Sequence, residues 1–266
     1  MERPAWAPDG IDLDRPNAAR MYDYALGGSH NFAVDRDMVE KVEAMMPGSS
    51  LIAHANRGFL RRAVRYCLDA GVRQFLDVGS GIPTVGSVHE VARQFAPETR
   101  VVYVDNDPIA VAHGQALLRG NPYTGAINGD VRRPAEILAD PAVTELIDFD
   151  RPVALLLVSL LHFIPDEDDP AGLVATFTEP LAPGSYLVIS HGTPEERPDD
   201  ADTVGQLYKN TSSPLSLRPR AEIQAMFSGF EMVEPGLTWV SAWRPVPGQP
   251  TEEERREMLA GVGRKG

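Results

Sequence analysis

The period of the apolar positions changes twice along the chain. Between Pro16 and Gly71 they recur every three or four residues, most plainly at Leu51, Ala55, Phe59, Ala63, Tyr66 and Cys67, which predicts helices. Pro16 opens a first helix through "NAARMYDYAL" that Gly27 and Gly28 stop. "AVDRDMVEKVEAMM" predicts a second, ended by Pro47 and Gly48, and "LIAHANRGFLRRAVRYCLDAG" a third. After Gly71 five nearly continuous apolar runs, "RQFLDV", "RVVYVD", "GAING", "VALLLVSL" and "SYLVISH", predict strands, with helical patterns after each of the first four. Such alternation predicts an α/β fold with a parallel sheet covered on both faces. Further on, "FEMVE" and "LTWVSAWRP" flank a "PG" turn and predict a β-hairpin, and "TEEERREML" starts with Thr251 and Glu254 at capping-box spacing, predicting a short terminal helix. The expected organisation is an N-terminal arm and helical cap (1–70) packed on the same domain, an α/β domain (71–248) and a C-terminal tail with a short helix (249–266).

Composition narrows the functions. At 266 residues, 43% hydrophobic and 24% charged, the chain can bury a sizeable core. Its formal net charge of -13 argues against a nucleic-acid partner, which requires clustered cations. Arg57, Arg61, Arg62 and Arg65 share a helical face and are read as solvated. The single cysteine, Cys67, lies in a helical pattern and is expected in the core; with no intrachain disulfide available, a reducing, cytoplasmic home is expected. No signal peptide and no membrane span are expected, since no run approaches about 18 apolar residues.

The chemistry concentrates in "QFLDVGSGIPTVGSVHEVARQF", Gln74 to Phe95, where a strand ends in an acid and a G-x-G turn. Gly79 and Gly81 satisfy half of the dinucleotide fingerprint, but position 84 is threonine, and Asp105 is the acid that ends the next strand. No G-K-[ST] follows, so phosphate machinery is missing. What remains suits a ligand with a cationic amino acid at one end and a ribose at the other. Asp77 is placed for the ammonium, the Gly79 to Gly81 backbone for close approach, and Asp105 for both ribose hydroxyls. Asn106 or Asp107 is better placed to cap the helix beginning at Pro108. S-adenosyl-L-methionine has these parts.

"FLDVGSGIPT", "VVYVDNDPIAV" and "INGDVRRP" look like motifs I to III of class I S-adenosylmethionine-dependent methyltransferases, and "RPVALLLVSLLHFIPDEDDP" occupies the motif IV position. With "ARMYDYALGGSHNFAVDRDM", "FLRRAVRY", "LHFIPDEDDPAGLV" and "PGSYLVISHGT", the chain resembles the actinobacterial S-adenosyl methyltransferase family from about Pro16 to Pro245. The resemblance implies a Rossmann-like fold: a seven-stranded, mostly parallel sheet with an antiparallel last strand, plus the helical cap. It also implies S-adenosylmethionine as cofactor, with Asp130 beside the adenine amino group. The expected cofactor contacts are Tyr22, Gly28 and Asn31 from a lid over the strand ends; Asp77, Gly79, Ser80, Gly81, Asp105 and Asn106; Asp130 and Val131; and Ser159 and His162.

His162 follows the fourth apolar strand and can line the adenosine pocket or accept a proton from the acceptor; His191, just past the fifth, competes for the second role. Tyr208, Asn210 and Arg218, in the insertion after the fifth strand, are candidates for an acceptor pocket. "PDEDDP" invites a metal, but acids crowded before a helix more often complement its dipole, so no metal is expected. The segment after the fourth strand reads "SLLHF" rather than Asp/Asn-Pro-Pro-Tyr, which weakens an exocyclic base amine or glutamine as acceptor. A small molecule methylated on O or N is preferred. The alternatives are a non-catalytic S-adenosylmethionine or S-adenosylhomocysteine binding module and a nicotinamide-dependent oxidoreductase. Trp239 and Trp243 belong either to an interface or to one face of a sheet edge.

Overall fold

The computed structural model describes residues 11–83, 86–196, 198–209, 211–246 and 256–266, the side chains of 198–202 excepted. Three helices come first: α1 (Ala18–Ala25), α2 (Ala33–Met45) and α3 (Ser50–Asp69). The Asn17 side chain caps α1, accepting from the backbone of Ala19 and Arg20, and the Asp35 carboxylate accepts from Phe32 N at the start of α2. Gly71, at φ +92°, ends α3 while Val72 N–H returns to Cys67 O.

The α/β part then runs β1 (Gln74–Val78), α4 (Val88–Phe95), β2 (Arg100–Asp105), α5 (Pro108–Leu117), β3 (Thr124–Asn128), α6 (Pro134–Leu138), α7 (Pro141–Leu146), β4 (Ala154–Val158), α8 (Pro170–Thr178), β5 (Tyr186–Gly192), α9 (Pro198–Tyr208), α10 (Arg220–Ala225), β6 (Phe230–Met232), β7 (Thr238–Trp239) and β8 (Met258–Lys265). The sheet order is β3-β2-β1-β4-β5-β8-β6, with β7 also on β8. The first five strands are mutually parallel, and β8 is antiparallel to β5, β6 and β7. Direction of chain travel reverses between β1 and β4, and the crevice beyond their C-terminal ends is where open α/β sheets bind ligands.

Two expectations about the C-terminal part are corrected. β6 and β7 do not pair with each other as a hairpin; each pairs with β8, which inserts between β5 and β6. From Met258 onward the tail is a buried inner strand, so Met258 and Leu259 are not the end of a helix; the rest of the expected helix, with its cap at Thr251 and Glu254, falls mostly outside the described residues. Gly261 and Gly263 are there for packing, since a Cβ at Gly261 would stand 2.9 Å from Met232 Cε and one at Gly263 2.7 Å from Phe230 Cβ.

One apolar core lies on the α3 and α4 side of the sheet, around Phe59, Ala63, Cys67 and Phe75, and the other around Leu155, Leu157, Phe177 and Ile189. Burial pushes the Cys67 thiol well above its ordinary range, as a core role requires. Trp243 is fully buried and meets Phe59 edge-on at 5.4 Å, which removes it from any interface, whereas Trp239 is half-buried beneath the Arg220 guanidinium. Of the acids in "PDEDDP", Asp169 caps α8 by accepting from Gly172 N and Asp166 pairs with Arg218. The cap is tied to the sheet by Phe32, packed against Ile82 and Ile109, and by buried Arg20, whose Nε stands 3.2 Å from Asp35 and 3.9 Å from Asp107. Among the described residues no helix is long and apolar enough to cross a membrane.

Candidate functional site

A cavity of about 510 Å³ lies between the C-terminal ends of β1, β2 and β4 and the helices α1, α2, α3 and α9. That volume falls within the range of small-molecule sites. Its floor is the turn after β1. Gly79 and Gly81 have φ of +71° and +64°, a region in which a side chain is strained. At Gly79 space is also needed, because a Cβ would lie 2.5 Å from Leu160 Cδ1. The N–H groups of Gly79 and Ser80 both reach Val104 O, at 2.8 and 3.1 Å, which fixes the turn against β2.

Two buried carboxylates face this floor. Asp105 ends β2 and organises the turn: Oδ2 accepts from Gly81 N at 2.7 Å and Oδ1 from Asp107 N at 2.9 Å. Asp107 is the residue that caps α5, accepting from Ile109 N at 2.7 Å. Burial raises the Asp105 carboxyl to about 6 even though two N–H donors stabilise its ionised form. Asp77 is 6% exposed and meets no hydrogen-bond donor among the described residues. Burial lifts it to about 7, with Arg57 drawing it down and Asp105 pushing it up. A buried carboxylate without a partner is costly unless a ligand cation satisfies it.

Other expected residues divide into those on the cavity wall and those away from it. Tyr22, Asp77, Gly79, Ser80, Gly81, Asp105, Asn106, Asp130, Val131, Ser159 and His162 all line the cavity. Tyr22 is fixed by a chain of hydrogen bonds: its OH donates to Ala53 O at 3.0 Å and accepts from Asn56 Nδ2 at 3.0 Å, while Asn56 Oδ1 accepts from Ser190 Oγ at 2.6 Å. Ser190 Oγ in turn accepts from Ser159 N at 2.9 Å, holding Ser159 at φ +58°. Asp130 gives both carboxylate oxygens to Arg132, at 2.6 to 3.0 Å, which holds it below the usual carboxylate range.

Gly28 and Asn31 do not line the cavity. They close the α1–α2 turn around Asp23, whose carboxylate accepts from His30 N at 2.8 Å and Asn31 Nδ2 at 2.9 Å; a Cβ on Gly28 would lie 2.0 Å from Asp23 Oδ1. Their glycine and amide serve the turn around Asp23.

The two histidines named as candidate bases differ in position and partners. His191 is fully buried and off the cavity wall; Nδ1–H donates to Gly192 O at 2.7 Å and Nε2 accepts from Arg218 Nη1 at 3.1 Å, and burial lowers it to about 4. His162 does reach the cavity, but Nδ1 accepts from Gly192 N at 3.2 Å, so its proton sits on Nε2, 3.5 Å from Ser159 Oγ. Burial first, then His191 and Arg218, hold it neutral well below the ordinary histidine range. A neutral ring with its only free nitrogen protonated is a donor, not a base.

Of the insertion candidates, Tyr208 lines the cavity and stacks on Phe163, whereas Arg218 is buried away from it, bound to Leu161 O, Ile164 O and Asp166. Asn210 lies outside the described residues. Sequence reasoning missed Arg57, taken as solvated but in fact 8% exposed on the cavity wall beside Tyr22. It also missed the apolar chamber that Met21, Val39, Val42, Met46, Val204 and Leu215 build above the floor. The period of α2 contained half of that signal.

The donor set fits the expected cofactor: an unpartnered buried acid for an ammonium, a side-chain-free turn for close approach, and a second acid with acceptor capacity left for a ribose. The comparisons agree. A protein of the DUF574 family from Streptomyces avermitilis MA-4680 superposes with a TM-score of 0.90 at 40% identity, covering 96% of this chain and 99% of that one. A Thermobifida fusca YX protein assigned as a methyltransferase gives 0.91 at 38%, over 98% and 99%. The ubiquinone/menaquinone biosynthesis C-methyltransferase UbiE of Geobacter sulfurreducens is 28% identical over 213 residues, 78% of this chain and 71% of that protein. The S-adenosyl methyltransferase family model matches residues 4–266. The chain therefore belongs to the S-adenosyl methyltransferase family, with the class I methyltransferase fold and S-adenosylmethionine as its cofactor.

Proposed function

We propose that the chain transfers the methyl group of S-adenosylmethionine to an O or N atom of a small, largely apolar molecule held in the chamber beneath α1, α2 and α9. One observation carries this reading: the glycine turn and the two acids share a single cavity with a chamber walled by Met21, Val39, Val42, Met46, Val204 and Leu215. When bound, the cofactor supplies an electrophilic methyl on a sulfonium that departs as a neutral thioether. The Gly79 to Gly81 backbone and Asp105 hold its nucleoside end, and Asp77 takes the ammonium. The apolar walls exclude water and orient the acceptor, which is the larger part of what this chemistry requires of a protein.

With His162 a donor and His191 sealed off, neither histidine accepts the acceptor's proton. The favoured nucleophile therefore carries a lone pair at neutral pH, such as a neutral amine or an acidic phenol; a new bond forms from that lone pair to the methyl carbon, the carbon–sulfur bond breaks toward sulfur, and any proton leaves to solvent. The name of the Geobacter relative, a C-methyltransferase, makes carbon the competing atom. The test is incubation with methyl-labelled S-adenosylmethionine and a panel of apolar amines, phenols and quinols, read by mass spectrometry. Labelled O- or N-methyl products support the proposal. Label on carbon alone overturns the choice of atom, and cofactor binding without label in any product favours the non-catalytic binding module.

A further inference from the structure

Arg57 projects from α3 into the cavity wall, where only 8% of it is exposed. Its guanidinium lies over the Tyr22 ring, 5.5 Å from the centroid. Nε is buried without a hydrogen-bond partner, and no ion pair holds the group among the described residues. The Tyr22 hydroxyl faces the guanidinium, but it is a neutral group shared with Ala53 O and Asn56 Nδ2, and it leaves the charge without a counter-ion and Nε without a partner. Asp77 stands near enough to feel the Arg57 charge, yet the two form no ion pair.

A guanidinium and a carboxylate, both buried, both with unused bonding capacity and both facing one cavity, are each costly alone. Together they complement a group carrying an anion and a cation one carbon apart, which is an α-amino acid zwitterion. Arginine suits the carboxylate, since its planar fork can donate two parallel N–H bonds. Asp105, Asp130 and Glu257 line the cavity as well, but Asp105 and Asp130 are held by their own donors, and Asp77 is the acid on the cofactor floor that feels the Arg57 charge.

We infer that Arg57 and Asp77 form a clamp on the amino-acid end of the cofactor, Arg57 taking the α-carboxylate and Asp77 the α-ammonium. The inference rests on the cofactor occupying this cavity as proposed above. It makes a cap residue outside the sheet motifs part of the cofactor site. Arg57 then joins cofactor binding to the position of α3, and through Tyr22 to α1.

The test is calorimetric titration of wild type, Arg57→Gln and Arg57→Lys with S-adenosylhomocysteine and with its decarboxylated analogue, which keeps the amine and lacks the carboxylate. Any indirect effect of Arg57 on Asp77 acts on both ligands, because both carry the ammonium. The expected result is that Arg57→Gln weakens S-adenosylhomocysteine by roughly 10- to 100-fold while the analogue changes about twofold or less, with Arg57→Lys between. Circular dichroism of each variant checks that it is folded. If Arg57→Gln leaves S-adenosylhomocysteine within about twofold of wild type, or weakens both ligands equally, the clamp is wrong while the cofactor reading stands. If wild type binds neither ligand, both fall.

Discussion

Asp77→Asn is the substitution with the most closely reasoned outcome. In the free protein burial raises the Asp77 carboxyl from 3.8 to about 7. A ligand ammonium favours the ionised form, so below about pH 7 binding must release a proton. At about pH 6 roughly a tenth of Asp77 is ionised, and the affinity for S-adenosylhomocysteine should be about tenfold, or ~1.4 kcal/mol, below its plateau above pH 7. Titration calorimetry in buffers of different protonation enthalpy should find close to one proton released per ligand at about pH 6 and almost none at about pH 8. Asn removes the larger part of the slope, though not the share that Asp105, raised to about 6, contributes, and it removes a charge-assisted contact worth roughly 1.5–3 kcal/mol. Without ligand the sign reverses. A raised carboxyl contributes stability below about pH 4 that is lost as pH climbs to about 7, so the variant should be more stable than wild type at about pH 8, by up to ~4 kcal/mol, and nearly equal at about pH 4. An affinity that stays flat from about pH 6 to 8 without proton release, or a slope that Asp77→Asn leaves undiminished, would refute the reasoning.

Three further outcomes test the surrounding structure. Gly79→Ala adds a Cβ at φ +71° and 2.5 Å from Leu160 Cδ1, so denaturant unfolding should show a loss of about 2–4 kcal/mol, with weaker S-adenosylhomocysteine binding in titration. Gly28→Ala should cost about 1–3 kcal/mol by expelling the Asp23 carboxylate from the α1–α2 turn, yet leave the ligand affinity of the folded fraction within about twofold; a large affinity loss would restore Gly28 to the binding site. Truncation before Met258 removes the strand between β5 and β6, and circular dichroism with size-exclusion chromatography should show loss of the cooperative fold rather than a trimmed tail.

The parts of the fold legible in the sequence were those in which residue identity records a backbone demand. Gly79 and Gly81 sit at positive φ, Asp107 caps α5 ahead of Pro108, and five apolar runs became the five parallel strands. β8 was hidden because Gly261 and Gly263, needed for contact with Met232 and Phe230, interrupt the apolar alternation and look like breakers. Arg57 belongs to a run of arginines that a helical wheel places together, yet Arg65 pairs with Asp69 at the surface while Arg57 is buried against Tyr22. Only the packing of α1 on α3 separates them. At Gly28 and Asn31 the sequence is ambiguous for the opposite reason: a glycine and an amide in a conspicuous turn serve Asp23 as readily as they would serve a ligand. The histidine roles depended on which ring nitrogen meets Gly192 or Arg218, and partners 27 to 30 residues apart leave no local pattern.

The account stands most directly on calorimetric titration of the purified protein with S-adenosylhomocysteine and, separately, NADH, using Asp105→Ala as the control. It predicts saturable one-site binding of S-adenosylhomocysteine that Asp105→Ala abolishes, and no binding of NADH. Binding of NADH alone, or S-adenosylhomocysteine affinity that survives in Asp105→Ala, would contradict the assignment of the glycine turn and its acid as the cofactor site.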